Sequence, residues 1–384
     1  PDFLDLLILD YRSFGGSVLR SLGINLSLFG CAVLGIWVCL EIGFAVGAPQ
    51  IPIREPLMYA PHSVLRYVPN PGTSWRYRTT EFDTQVAFNT HGFRNIERPL
   101  EKPAGTFRIL CLGDSFTLGA EVAMRDSYAY ILEQLLNKRA ASLGDSIRFE
   151  VMNGGVGGYG TFQELVFLRE FGLVHKPDLI LVQFYSNDVR DNMKYQEFWN
   201  TVYPDSSIFL STSSVYADIL ELLENHSHVY HFFRSRLNVL ESVLGLSVLT
   251  DFDDLMVMTR ETSSEIEKGW ELTRKLYLKI WDLARANHAG FALMVVPNKA
   301  QVAQNERSDA WIKEQKLDMT KPIRILQEFG MQNRIPVLDL LPDLQSAGET
   351  QALYYDWDGH WNASGNRTAA AAIAEFLEAE ELIP

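Results

Sequence analysis

The sequence predicts an α/β fold, a three-layer sandwich in which helices cover both faces of a mostly parallel, five-stranded sheet. Five short apolar stretches have the length and composition of buried parallel strands. Helical patterns separate the first three of these stretches. The 384 residues are 47% apolar and 21% charged, which is typical of a globular body large enough to bury one sizeable core.

The predicted strands and helices alternate along the chain. The strands are Phe107–Leu112, Phe149–Asn153, Asp178–Phe184, Phe291–Val296 and Ile335–Leu340. The helical patterns in and after this region are Ser127–Arg139, Phe162–Phe171 and Asn366–Leu382. Because a parallel strand must be reached by a crossover, this alternation favours one sheet with helices on both sides.

An apolar run near the N-terminus predicts a membrane-spanning helix. The uncharged run Ser21–Leu40, between Arg20 and Glu41, is long enough to cross a hydrocarbon core of ~30 Å. We assign residues 1–20 to a short interfacial segment and residues 21–46 to the transmembrane helix. A cleaved signal peptide is the alternative, but its apolar region has only ~7–15 residues, and Glu41 stands where cleavage is expected. A core helix of a soluble protein is a third interpretation.

Basic residues indicate the orientation of this helix. Arg12 and Arg20 precede the span, and Arg54 is the nearest basic residue after it. The positive-inside rule then places the N-terminus in the cytoplasm. We therefore expect a single-pass protein of a bacterial inner membrane, with membrane lipid around the helix and the large domain in the periplasm.

Residues 49–106 are rich in Pro, Arg and aromatic residues, and predict a linker and a small β-rich segment with a strand near Gln85–Asn89. The main domain is expected at residues 107–384. Inside it the alternation stops, and residues 191–288 predict a helical insertion with its strongest pattern at Ser264–Ala286. This insertion could be a lid over a site or a docking surface.

Charge and cysteine content limit the partners and cofactors. The net charge of −14 argues against nucleic acid, which needs clustered Lys and Arg. The three cysteines form no disulfide framework and no haem motif, so we expect no cofactor. We also expect no metal site, since two polar clusters lack zinc or calcium spacing and are better explained as solvated loops. They are His226, His228 and His231, and Asp251, Asp253 and Asp254.

Three candidate site segments follow the first three predicted strands. Ser115, in Gly113-Asp114-Ser115, precedes a helix, where backbone N–H groups favour a developing oxyanion; a plain N-cap serine is the alternative. Residues 153–160, NGGVGGYG, let backbone approach a ligand closely, and no Lys-Ser/Thr follows as in a phosphate-binding loop. Asn187 could donate its side-chain N–H to an oxyanion, or form a simple turn.

The fourth segment, residues 356–362, DWDGHWN, lies before the last predicted helix. A catalytic serine needs a neighbouring base, and the base needs an acid that fixes its tautomer. His360 is the candidate base, and Asp358 and Asp356 are both candidate acids.

These four segments resemble, in order, the four conserved blocks of the SGNH/GDSL hydrolase family, whose fold is a flavodoxin-like three-layer sandwich. Residues 89–94, NTHGFR, are similar to a segment that precedes the nucleophile strand in a membrane-anchored bacterial branch. The resemblance covers about residues 60–190 and 290–380. It implies that Ser115 is the nucleophile and His360 the base, with an oxyanion hole formed by Ser115 N–H, Gly158 N–H and the Asn187 side chain.

The chain departs from this family at two positions. Tyr185 stands where the third block usually has glycine, and its ring could narrow the pocket. Trp357 stands where the last block usually has the acid, so the acid is Asp358 or Asp356. Related acetyl-transfer enzymes use the two-residue spacing, which favours Asp358.

Two functional hypotheses remain. The first is a serine esterase, an acetyl-ester hydrolase or an acetyltransferase, acting on an O-acylated polysaccharide or a small ester of the cell envelope. The second is a catalytically silent structural or accessory subunit of a membrane complex, for example photosynthetic or respiratory, held by the anchor and the insertion.

Overall fold

A computed structural model describes the protein over residues 3–48, 58–194, 223, 227–243, 255–302 and 312–384. Parts of the expected insertion 191–288 lie outside these residues, together with His226 and the aspartates at 251, 253 and 254. The chain divides into two compact units. The first comprises Pro1–Arg54 and Ser213–Leu244, and the second comprises Glu55–Thr212 and Gly245–Pro384.

The described strands are β1 Tyr59–His62, β2 Arg66–Pro69, β3 Ser74–Arg78, β4 Asp83–Ala87, β5 Thr106–Gly113, β6 Arg148–Gly155, β7 Leu179–Phe184, β8 Gly290–Val295 and β9 Val337–Asp339. The described helices are α1 Phe3–Gly47, α2 Ser115–Leu118, α3 Tyr128–Leu143, α4 Thr161–Phe167, α5 Asp188–Lys194, α6 His228–Val243, α7 Ser264–Ala286, α8 Lys299–Val302, α9 Lys321–Asn333, α10 Leu341–Gly348 and α11 Ala363–Ala379.

The second unit contains the five-stranded sheet that the sequence predicts. Its strand order is β6-β5-β7-β8-β9, and every neighbouring pair is parallel. The last strand is shorter than predicted and begins after Pro336, which has no N–H to contribute to a ladder. The α/β prediction is therefore confirmed, with a sheet that is parallel throughout.

The two faces of the sheet bury separate apolar cores. Along β5, Ile109 and Cys111 belong to one core and Leu110 and Leu112 to the other, as alternation along a strand requires. Helices α4, α7 and α9 cover the Leu110 face, and α3, α10 and α11 cover the Ile109 face. These helices and the sheet make three layers, and truncating a fully buried leucine in either core to alanine costs ~2–5 kcal/mol.

Two small antiparallel sheets precede the main sheet. Strand β1 pairs with β2, and β3 pairs with β4. Trp75 and Val86 of the second pair, and Phe88 directly after it, are buried against Leu118 and Ala120, which follow the candidate nucleophile. The predicted strand Gln85–Asn89 is found as β4, two residues earlier. This β-rich segment thus packs on the loop after Ser115.

The first unit contains α1 and α6. Within α1, the stretch Gly23–Gly47 is long and apolar enough to cross a membrane. The carboxylate of Glu41 accepts a hydrogen bond from the Val229 N–H at 2.7 Å, and the Phe44 and Phe232 rings stack at 4.4 Å. Helix α1 continues without a break through residue 20, so the division into an interfacial segment and a span stays a prediction.

Candidate active site

Ser115 lies directly after β5 at the carboxyl edge of the sheet and is half-buried. The carboxylate of Asp114 caps the following turn by accepting the Phe116 N–H at 2.9 Å. Helix α2 is a single turn and ends at Gly119, whose φ is +63°. Because one turn carries little macrodipole, any oxyanion stabilisation here depends on individual N–H donors rather than on a helix dipole.

A buried glutamine on the neighbouring strand β7 fixes the residues on either side of Ser115. The amide of Gln183 donates to the Asp114 carboxylate at 2.7 Å, and its oxygen accepts from the Thr117 hydroxyl at 2.6 Å. From β6, the Asn153 amide donates to the Thr117 carbonyl at 2.7 Å. The nucleophile turn is therefore tied to both flanking strands. No motif in the sequence identified Gln183, and Asn153 was singled out only as the first residue of the glycine-rich segment 153–160, without this role.

His360 reaches Ser115 from the loop before α11. Its Nε2 lies 2.7 Å from the Ser115 Oγ. The loop is closed by a bridge between Tyr354 and Trp361, and the imidazole lies 4.8 Å from the Phe116 ring, centroid to centroid. The contact with Phe116 limits rotation of the imidazole, so Nε2 is directed at the hydroxyl.

The two candidate acids occupy different environments. The Asp358 Oδ1 lies 2.6 Å from the His360 Nδ1. The Asp356 side chain is 86% exposed and lies 4.0 Å from the Lys299 ammonium. The structure therefore brings Ser115, His360 and Asp358 together in a chain of hydrogen bonds, and it does not bring Asp356 to the imidazole.

A second carboxylate faces the imidazole, and the sequence-based reasoning missed it. Glu121 is buried, and its Oε1 lies 3.9 Å from the His360 Nδ1. Burial raises the pKa of Glu121. Burial alone lowers the pKa of His360, but the Glu121 and Asp358 carboxylates outweigh it and raise that pKa to about 9. The imidazolium form is thus stabilised, as a base that receives a proton requires.

Arg94 holds the loop that carries Glu121. The guanidinium is buried and donates to the carbonyls of Leu118, Gly119 and Val122, at 2.7 Å for Leu118 and 2.6 Å for Val122. Burial lowers the pKa of Arg94 to about 10. Arg94 belongs to the segment NTHGFR at residues 89–94, so the structure gives that segment a local role, which is to support the backbone beside the nucleophile.

The two further oxyanion candidates lie at the same edge of the sheet. Gly158 follows β6 and Asn187 follows β7, and these strands flank β5 in the sheet. Gly158 has a φ of +78°, and no described residue accepts a hydrogen bond from its N–H. The Asn187 Oδ1 is buried without a hydrogen-bond partner among the described residues. The topology therefore places both candidates beside the nucleophile turn.

Two aromatic side chains define the surroundings of the site. The Tyr185 ring lies 4.7 Å from the Phe116 ring, and its hydroxyl receives a hydrogen bond from the Asn298 amide at 3.2 Å. Trp357 is 59% exposed, whereas Trp361 is buried against Phe116. Tyr185 thus forms part of the wall beside Phe116, and Trp357 leaves an indole face available to solvent.

The donor atoms of Glu121, Asp358 and His360 lie within 4.8 Å of one another, and such a set could hold a cation. The other ring nitrogen of His360 contacts the Ser115 hydroxyl. We therefore interpret the cluster as a proton-transfer arrangement in which carboxylates orient and charge-stabilise an imidazole.

Comparison with known proteins gives one family match. Residues 258–384 match the family model described as ALGX, SGNH hydrolase-like domain, acetyltransferase AlgX. This stretch includes Asp358 and His360 and begins after Ser115. No curated protein matches the chain.

Solved structures give distant matches. A crystal structure of an acetyl xylan esterase, AlAXEase, is 12% identical, with 70% of this chain and 98% of that chain covered and a TM-score of 0.39. TesA is 13% identical, with 71% of this chain and 99% of that chain covered and a TM-score of 0.39. A catalytic mutant of an acetylxylan esterase from Geobacillus stearothermophilus is 16% identical, with 71% of this chain and 94% of that chain covered and a TM-score of 0.40.

The family match and the local geometry point to the same part of the molecule. The matched residues contain the loop that brings His360 to Ser115 and Asp358 to His360. Residues 258–384 are similar to the SGNH hydrolase-like domain of the acetyltransferase AlgX family.

Proposed function

We propose that this protein is a membrane-anchored serine enzyme that removes or transfers the acyl group of an envelope ester, with Ser115, His360 and Asp358 as its catalytic residues. The observation that carries the proposal is the hydrogen-bonded chain from the Ser115 Oγ through both ring nitrogens of His360 to the Asp358 carboxylate, at 2.7 and 2.6 Å. A serine hydroxyl is a weak nucleophile unless a base of this kind takes its proton.

The first half-reaction forms an acyl-enzyme. The His360 Nε2 takes the hydroxyl proton as the Ser115 Oγ bonds to the ester carbonyl carbon. The resulting oxyanion is held by the N–H groups of Ser115 and Gly158 and by the Asn187 amide. When the tetrahedral intermediate collapses, the bond to the alcohol oxygen breaks, and His360 returns the proton to that oxygen.

The second half-reaction repeats these steps with a new nucleophile. His360 takes a proton from water or from a sugar hydroxyl, and the oxygen attacks the acyl carbonyl. Collapse then releases Ser115 with its proton restored. Water makes the enzyme an esterase or acetyl-ester hydrolase, whereas a sugar hydroxyl makes it an acetyltransferase.

An O-acetylated polysaccharide is the proposed substrate. Support comes from the exposed indole of Trp357, three residues before His360, because an aromatic face can pack on the apolar face of a sugar ring. Support also comes from the similarity of residues 258–384 to a domain named for an acetyltransferase. The proposed anchor is the helix Gly23–Gly47, and the charge pattern favours a periplasmic domain at a bacterial inner membrane.

A fluorophosphonate probe tests the proposal. The full chain in mild detergent is treated at neutral pH and at about pH 9, because the pKa of His360 is about 9 and the base acts in its neutral form. The labelled peptide is identified by mass spectrometry. We expect labelling at Ser115 that is lost in Ser115→Ala and strongly reduced in His360→Ala. An unlabelled Ser115 in a folded protein would contradict catalysis and favour the alternative, a silent accessory subunit of a membrane complex.

A second experiment separates hydrolysis from transfer. Unlabelled enzyme is incubated with a chromogenic acetyl ester as the acetyl donor. An unacetylated oligosaccharide is added at increasing concentration as the acceptor. Acetylated oligosaccharide among the products indicates transfer, whereas acetate as the sole acyl product indicates hydrolysis.

A further inference from the structure

The turn between β3 and β4 places a carboxylate on the catalytic loop. Both oxygens of Glu81 accept backbone N–H groups from that loop. The Asp356 N–H donates at 2.6 Å, the Asp358 N–H at 2.8 Å, and the Trp357 N–H at 3.1 Å to each oxygen. Glu81 lies outside the hydrolase domain expected at residues 107–384, so nothing in the sequence connected it with His360.

Three consecutive N–H groups that converge on one point form an anion-binding nest. In this protein the anion is the chain's own Glu81. Hydrogen bonds to an ionised acceptor are roughly twice as strong as neutral ones, so the contact restrains the loop more than ordinary backbone bonds do.

A cation, the Lys299 ammonium, also contacts this loop. The Lys299 ammonium donates to the carbonyls of Tyr355 and Asp356, at 2.9 Å each. The Tyr355 ring lies 5.1 Å from the Phe82 ring, next to Glu81. The Glu81 carboxylate accepts from the N–H groups of this loop, and the Lys299 ammonium donates to its carbonyls. Together these contacts fix the orientation of the peptide groups that lead to Asp358.

We propose that Glu81 is a positioning residue for the active site. By holding the Asp356, Trp357 and Asp358 amides, it keeps the Asp358 carboxylate within reach of the His360 Nδ1. The inference rests on the proposed function where it concerns turnover, and on geometry alone where it concerns the Asp358–His360 hydrogen bond. A misplacement of about 1 Å in such a site can cost ~10²-fold in rate.

Glu81→Gln tests this role with almost no change in shape. One glutamine oxygen can still accept, but the amide nitrogen presents N–H groups to backbone N–H groups, so part of the nest loses its acceptor. Asp83→Asn is the matched control, because Asp83 lies on the same hairpin and, within the described part of the chain, pairs only with exposed arginines, Arg76 at 2.6 Å and Arg78 at 3.7 Å. Glu81→Asp is the conservative variant, which keeps the charge.

Two readouts are taken on the full chain in detergent. The first is kcat and KM on a chromogenic acetyl ester. The second is the low-field proton NMR resonance of the His360 Nδ1–H, which reports its hydrogen bond to Asp358 without any reaction. For Glu81→Gln we expect kcat to fall about 10- to 100-fold with KM unchanged, and the resonance to shift or disappear. Asp83→Asn should match the wild type in both, and Glu81→Asp should recover part of each.

A double variant shows whether Glu81 acts through Asp358. In the Asp358→Asn background, Glu81→Gln should lower kcat little further, since the group that it positions is gone. Full additivity, or an unchanged resonance and kcat in Glu81→Gln, would overturn the proposal. If the wild type neither hydrolyses the ester nor transfers its acetyl group to an oligosaccharide, while Glu81→Gln alone loses the resonance, the positioning role stands and the proposed function fails.

Discussion

The imidazole of His360 faces two carboxylates that differ in exposure and distance. Asp358 makes the direct hydrogen bond, and Glu121 adds a buried negative charge 3.9 Å from the same nitrogen. Asp114, also buried, adds a smaller effect in the same direction. Together they raise the pKa of His360 to about 9. Since the base acts in its neutral form, we expect kcat/KM to increase as pH rises toward 9.

Glu121→Gln should move the rise of kcat/KM with pH toward lower pH. Removing the negative charge lowers the pKa of His360, so the neutral base is present at a lower pH. The measurement is kcat/KM against pH for both proteins, with the Asp83→Asn variant as a control that should keep the wild-type profile. A limb at the same pH in Glu121→Gln would contradict the electrostatic role of this side chain.

Asn187→Ala should reduce turnover without unfolding the protein. If its amide donates to the oxyanion, removal costs about 10²–10³-fold in kcat, because the donor acts mainly in the transition state. Asn287→Ala is a suitable control, since that amide is exposed and caps its own helix by donating to the Leu283 carbonyl. An equal, small effect of both substitutions on kcat would remove Asn187 from the oxyanion hole.

Trp357→Ala should separate a glycan substrate from a small ester. An aromatic contact contributes ~0.5–1.5 kcal/mol, which corresponds to a rise in KM of about 2- to 12-fold on an acetylated oligosaccharide. KM on a chromogenic acetyl ester, which has no sugar, should not change. The reverse pattern, or equal effects on both substrates, would mean that the indole does not bind the sugar.

Sequence patterns identified residues whose roles depend on neighbours along the chain. Ser115 follows a strand, and Asp358 and His360 share one loop, so local spacing was informative. The choice between Asp358 and Asp356 needed coordinates, because both lie within four residues of His360 and only rotamer and loop geometry separate them. Glu81, Glu121 and Gln183 reach the site through tertiary contacts, which no local pattern encodes.

At the scale of the element, a close approach between β6 and α2 sets the position of the nucleophile. A Cβ built on Gly155 would lie 2.3 Å from the Leu118 nitrogen and 2.6 Å from the Thr117 carbonyl carbon. Both atoms are backbone atoms of the single-turn helix that begins at Ser115, so the whole turn must move to accept a methyl group.

Gly155→Ala should therefore impair both folding and activity. Overpacking of this kind typically costs ~1–3 kcal/mol, and displacement of Ser115 should lower kcat further. Gly157→Ala is the matched control two residues further along the chain, where an added Cβ would meet its nearest neighbour at 3.8 Å. Thermal unfolding and kcat are measured for both. Similar Tm and kcat in the two variants would contradict this account.

A strand or helix could be predicted from the sequence where one regular spacing of apolar residues runs along its whole length. Strands β5 to β8 were found because each is a mostly apolar run buried on both faces, whereas β9 has three residues, of which Leu338 alone is buried. The helix predicted at Phe162–Phe171 ends at Phe167, where a wider turn of five residues, Leu168–Gly172, takes over. Hydrophobic spacing is nearly the same in the two, so periodicity could not mark the change.

At the scale of the molecule, the apolar helix Gly23–Gly47 and the net negative charge bear on the proposed attachment to a membrane. The net charge of −14 is unfavourable beside anionic lipid, so the proposed attachment depends on burial of apolar side chains. Helix Gly23–Gly47 supplies such side chains, and those that are described are almost all exposed within the first unit.

Deleting residues 3–48 should release the protein from the membrane. After carbonate washing, the full chain should stay in the membrane pellet and the shortened chain should appear in the supernatant. The Asp83→Asn full-length variant serves as a control for handling losses. A shortened chain that still pellets, while remaining folded by circular dichroism, would show that another segment holds the membrane.

The three native cysteines allow insertion of α1 into a membrane to be measured by thiol labelling. Cys31 and Cys39 are exposed on α1, whereas Cys111 is fully buried in β5, where burial raises the pKa of its thiol to about 12. A water-soluble maleimide can therefore modify only the helix, and lipid would shield it there. Labelling of Cys31 and Cys39 that occurs in the denatured chain and is suppressed in intact vesicles, with the sites located by peptide mass spectrometry, would show that lipid shields the helix, without a single engineered residue.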